Sequence, residues 1–220
     1  MEAKLVNKKI SSNSLKEQIS MILGKSIEII TTNDLASIES IVLKKMDFDD
    51  NETDCNIEDL IELKKLNSCT LCDFDLDEKS IENINKIEKL EFIHFDFCNF
   101  STEEICFNSK IEEVYFNMCE NVSLKKLQNT KLTSIELIGN PENMQKLDIV
   151  ELVRADNLRE CSIHNYSIKN IEKILEVAPQ IEVLNIDGSK VEEERLKNLV
   201  NKIKISHEKD FHLGEEPIWD

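Results

Sequence analysis

The chain has 220 residues, 40% of them apolar, and a formal net charge of -17. That is enough apolar material for one core or one continuous stack of repeats, but too acidic a balance for a protein that gains affinity by neutralising phosphates. Nucleic acid and anionic membrane are therefore not expected partners, and the carboxylates have two readings, solubility or attraction to a basic partner.

In chain order, Met1 to Ser14 carries Lys4, Lys8 and Lys9 without the apolar run of an export signal, and no later segment approaches the length of a membrane helix. A cytoplasmic protein is expected. Seven cysteines, an odd count, fit reduced thiols better than a disulfide framework. Ser14 to Leu23 is predicted as a helix with a capping box of Ser14 and Glu17 and a stop at Gly24.

From Ile38 onward one spacing recurs, with apolar residues at positions one, four, six and eleven and Asn, Cys or a substitute at nine. The first copy is Ile38, Ile41, Leu43, Met46, Phe48; the second Leu66, Cys69, Leu71, Phe74, Leu76; the third Leu90, Ile93, Phe95, Cys98, Phe100. Ile111, Val114, Phe116, Cys119 and Leu132, Ile135, Leu137, Asn140 follow, both without the last apolar slot. Leu158, Cys161, Ile163, Tyr166, Ile168 and Ile181, Leu184, Ile186, Ser189, Val191 complete the series, whose copies begin 21 to 28 residues apart. Positions four and six lie on one side of a short strand and three, five and seven on the other, so one side faces a core.

Helix signals are expected between the strands at Asn56 before IEDLIELKKL, at Ser101 with Glu104, at Ser167 before IKNIEKILEVA and at Ser189 with Glu192. Pro179 closes the Ser167 helix. A helix from Lys190 to Ile203, and a tail carrying the single tryptophan Trp219, are expected to cover the far end.

These copies resemble the leucine-rich-repeat family. The segment SLKEQISMILGKSIEIITTNDLASIESIVL is similar to the N-terminal cap of internalin-like bacterial members, in which a short helix leads through a Thr/Asp turn into the first strand. It departs from secreted members in lacking an export signal. The resemblance implies an α/β solenoid with a curved parallel sheet on the concave face, short helices on the convex face and helical caps. The expected division is an N-terminal cap over residues 1–37, seven repeats over 38–191, and a C-terminal cap helix and tail over 192–220.

Candidate chemistry is scarce. Cys69 and Cys72 have the spacing of a zinc or redox half-site, but the repeat puts Cys69 at core position four and Cys72 at exposed position seven, on opposite faces of a strand. His94 and His164 fall on the open side, three strands apart, too far to share a metal; His207 and His212 lie in the tail. Glu112 and Glu113 face opposite ways, and no phosphate-cradling loop or nucleophile elbow occurs. No metal, cofactor or catalysis is expected.

Positions three, five, seven and eight form the open face. Phe92, His94, Tyr115 and Ile138 meet at its middle, where the repeat requires nothing apolar, and Asp96, Asn117 and Met118 adjoin them. These seven residues are the candidate site for a protein or peptide partner, a basic one under the second reading of the carboxylates. A non-catalytic binding scaffold is the expected function. The alternative is a regulator, inhibitor or activator, of a bound enzyme; with only Arg154, Arg159 and Arg195 available, an arginine finger is poorly supplied.

Overall fold

The alternation of branched and aromatic residues with polar ones produces strands at the repeat spacing. In the computed structural model, residues 9–45, 56–101, 105–107, 110–123, 131–152 and 155–208 are described. The strands are β1 (Ser40–Lys44), β2 (Ser68–Cys72), β3 (Asp75–Leu76), β4 (Phe92–Asp96), β5 (Asn99–Phe100), β6 (Glu113–Asn117), β7 (Ser134–Ile138), β8 (Lys146–Asp148), β9 (Glu160–His164), β10 (Ser167–Lys169), β11 (Val183–Asn185) and β12 (Lys204–Ser206). Eight of them form one sheet in the order β1-β2-β4-β6-β7-β9-β11-β12. Every pair is parallel and in step, with Ile93 beside Val114, then Ile135, Cys161 and Leu184.

Positions one, four and six are buried in every described repeat. The centre of this core is aromatic. Phe95 stacks on Phe116 at 5.4 Å between ring centroids and meets Phe100 edge-on at 5.2 Å, while Phe107, which the repeat spacing does not assign, lies parallel to Phe95 at 5.9 Å. Thiols at position nine tie adjacent repeats together: Cys98 Sγ donates to Leu71 O at 3.2 Å and Cys119 Sγ to Phe95 O at 3.4 Å. Ser189 does the same with a hydroxyl, donating to Ile163 O at 2.8 Å and accepting from Tyr166 N at 3.0 Å. Gly139 is set by close approach, since a Cβ there would lie 2.9 Å from Asn165 O and from the Tyr166 ring.

Position eight turns the chain out of the strand. Asp73, Phe97, Met118, Asn165 and Gly188 have φ of 63°, 51°, 49°, 62° and 70°. Gly and Asn adopt this left-handed conformation readily, whereas a larger side chain costs roughly 1–2 kcal/mol.

The N-terminal helix spans Asn13–Leu23 and ends at Gly24, whose φ is 59°. Its cap is Ser12 and not Ser14: Leu15 N donates to Ser12 Oγ at 3.1 Å, and Ser14 Oγ turns to Lys44 O. The start is drawn back by Asp59, a buried carboxylate that accepts from Ser11 N, Ser11 Oγ and Ser12 N at 2.7, 2.9 and 2.7 Å. A Thr31–Asp34 capping box then opens the short helix Thr32–Leu35 that leads into β1.

Three predicted helices differ from those observed. Asn56 does cap its segment, but as a 3-10 helix, Ile57–Glu62. Ser167 lies in β10, which pairs with β8; helical structure begins only at Ile171, after Asn170 takes a left-handed turn at φ 54° and donates to both Asp148 carboxylate oxygens at 2.9 and 3.0 Å. Ser189 is committed to its cross-repeat bonds, so Glu192 stands at the start of a short helix, Glu193–Leu196, and the chain goes on to β12 in place of a helix to Ile203. An unpredicted helix, Glu78–Lys86, is capped by Asp77 and buries Ile81 and Ile84. Met46, Phe48, Cys55, Glu104, Arg154, His212 and Trp219 lie outside the described residues.

Candidate functional site

Parallel register converts the open face into rows running across the strands. One row is Ser68, Phe92, Glu113, Ser134, Glu160; the next is Thr70, His94, Tyr115, Glu136, Ser162; the third is Cys72, Asp96, Asn117, Ile138, His164. Phe92, His94, Asp96, Tyr115, Asn117 and Ile138 therefore share β4, β6 and β7. All six are half-buried, as is Met118 just beyond β6.

The His94 and Tyr115 rings lie 5.9 Å apart at a tilt of 52°. Tyr115 Oη donates to Glu113 Oε2 at 3.1 Å, and burial together with that carboxylate pushes the phenol up to about 12. Asn117 Nδ2 donates to Asp96 Oδ1 at 2.6 Å, leaving Asn117 Oδ1 buried and unpartnered. Burial lowers the pKa of His94 against the pull of Asp96, so the ring is held neutral.

Glu136 belongs to the same cluster. Burial raises its pKa, and His164 Nε2 lies 3.8 Å from its Oε1. His164 is itself kept neutral by burial; Asp187 O, 3.3 Å away, only accepts, so the proton sits on Nδ1. Among the described residues no lysine or arginine forms an ion pair with Asp96, Glu113 or Glu136. Acid and aromatic surface thus meet with no cation between them among the described residues.

One expectation about this face is corrected. Cys72, expected to be exposed, is buried at 9% exposure, because its short side chain sits in a row between the longer Lys44 and Asp96. Its thiol is pushed up to about 11, first by burial and then by Asp96. His164 keeps its place on the open side of the sheet but is only 5% exposed, covered by its neighbours Glu136 and Asp187. Sequence reasoning also left Glu113, Glu136 and Phe97 out of the candidate site. The signal for Phe97 was present, since position eight holds Lys45, Asp73, Gly139, Asn165 and Gly188 in every other repeat but that of Met118.

No group of three or more His, Cys, Asp or Glu is arranged to hold a metal among the described residues. No helix there is long and apolar enough to cross a membrane.

No family model and no curated protein matches the sequence. The folded chain is similar to the crystal structure of an internalin, InlF, from Listeria monocytogenes, with a TM-score of 0.60 and 19% identity, covering 93% of this chain. The fold is a leucine-rich-repeat solenoid. This solenoid spans 58% of the internalin's length. At that identity the likeness concerns architecture: a parallel sheet with one face packed on short helices and the other open.

Proposed function

We propose that the chain is a non-catalytic scaffold that holds a protein or peptide partner on the open face of its sheet, with residues 1–37 and 192–220 covering the two ends. The observation that supports this most directly is the position of Phe92, His94 and Tyr115. They are half-buried on the face away from the core, in the central strands, where stacking of the repeats makes no use of an aromatic ring. The seven candidate residues Phe92, His94, Asp96, Tyr115, Asn117, Met118 and Ile138 form the contact surface in this reading. Thiols that donate to backbone carbonyls at Cys98 and Cys119 suit a reducing compartment, and a cytoplasmic location belongs to the same proposal.

The test contrasts two faces of one strand pair. Phe95→Ala, which removes a ring from the core, is expected to destabilise by about 3–5 kcal/mol. The triple substitution Phe92→Ala, His94→Ala, Tyr115→Ala is expected to change stability by only about 1 kcal/mol per site, yet to weaken a partner captured from the host lysate by about 2 kcal/mol or more. Unchanged affinity in the folded triple variant would move the site off this face.

A further inference from the structure

Two apolar side chains stand where the fold calls for a turn residue. In four adjacent repeats the position-eight amide donates to the position-seven carbonyl of the next strand: Asp73 N to Asp96 O at 2.9 Å, Phe97 N to Asn117 O at 2.9 Å, Met118 N to Ile138 O at 2.8 Å and Gly139 N to His164 O at 2.8 Å. The ladder sets these four residues side by side at the strand ends. Phe97 and Met118 take the left-handed conformation in adjacent repeats, at φ 51° and 49°. Bulky side chains resist that conformation.

Phe97 is also 58% exposed. Its ring adds nothing to the core, and its backbone sits where Asn or Gly would be at ease. A residue that folding disfavours on both counts points to a use outside the fold.

The surroundings narrow that use. Asp96 precedes Phe97 and Asp73 adjoins it across the ladder, while Glu113 and Glu136 lie on the same face of β6 and β7. Asp73 has only a loose contact with Lys44, at 3.7 Å with both side chains exposed, and Asp96, Glu113 and Glu136 have no lysine or arginine partner among the described residues. An apolar anchor flanked by uncompensated carboxylates complements a cationic partner.

Resting on the reading of the open face as a binding surface, we infer that Phe97 and Met118 anchor a basic protein segment: an extended stretch carrying lysine or arginine on either side of an apolar residue that packs on the Phe97 ring. The segment enters the open face over the C-terminal ends of β4 and β6. An acidic segment is repelled there, and a purely apolar one leaves the carboxylates unanswered.

The test uses phage-displayed random peptides selected on the full chain at physiological ionic strength. Enriched sequences are expected to combine Lys or Arg with an apolar residue. Phe97→Asn should weaken the selected peptides at least about tenfold and, by relieving the turn, raise the unfolding midpoint by roughly 2–4 °C. Enrichment without basic residues, or equal binding by Phe97→Asn, overturns the inference. A lowered midpoint also overturns it, by showing that the fold needs the ring. Peptides lost on the Phe92, His94, Tyr115 triple substitution but kept on Phe97→Asn leave the open-face reading standing and remove the anchor; peptides kept by both variants remove both.

Discussion

A thiol at position seven and a thiol at position four of the same strand differ less than alternation implies. Cys69 is in the core, and Cys72, on the opposite face, is closed over by its lateral neighbours. Burial and Asp96 push the Cys72 thiol up to about 11, so at pH 8 only roughly one molecule in a thousand carries the reactive thiolate. Cys106, by contrast, is exposed. Site-resolved alkylation of native protein, followed by mass spectrometry, is expected to modify Cys106 well before Cys72, Cys98, Cys119 or Cys161. Modification of Cys72 as fast as Cys106 would mean that its neighbours leave it open to solvent.

Among elements, the N-terminal helix shows how a distant group sets a local boundary. Either Ser12 or Ser14 is an acceptable cap by residue type. Asp59, 47 residues further on, decides for Ser12 by binding its amide at 2.7 Å. Asp59→Asn replaces a carboxylate that accepts three hydrogen bonds with an amide oxygen of weaker accepting power, and the expected cost is about 2 kcal/mol, read from denaturant unfolding. Ser14→Ala should cost well under 1 kcal/mol. The reverse order would return the cap to Ser14. Ser167 follows the same logic. Its hydroxyl and the apolar periodicity after it predict a helix, but pairing with β8 and the Asn170 bonds to Asp148 hold the first residues extended.

For the whole molecule, the net charge of -17 has one consequence if it serves solubility alone and another if it serves recognition. Where the open face attracts a basic partner, the association rate should fall by on the order of tenfold from low to physiological ionic strength, while dissociation changes little. Stopped-flow measurement of the captured partner separates the two, since an association rate indifferent to salt would leave the carboxylates with solubility only. The eight-stranded sheet makes such a surface possible, because each repeat adds one residue to each row.

The sequence by itself determined the positions of the seven repeat strands of the main sheet, their parallel stacking and the side of each that faces the core. These depend on a two-residue alternation and a repeat length, both local properties of the chain. Ile93 and Phe95 on one side, with Phe92, His94 and Asp96 on the other, were legible from spacing alone. Tertiary structure decided whatever depends on lateral neighbours: that Cys72 and His164 are covered, that Glu136 sits beside Tyr115, that Ser12 caps the first helix, and that Lys204–Ser206 joins the sheet as an eighth strand. Residues two dozen positions apart become adjacent only once the repeats stack, and a single strand's pattern carries no information about what its neighbours will place over it.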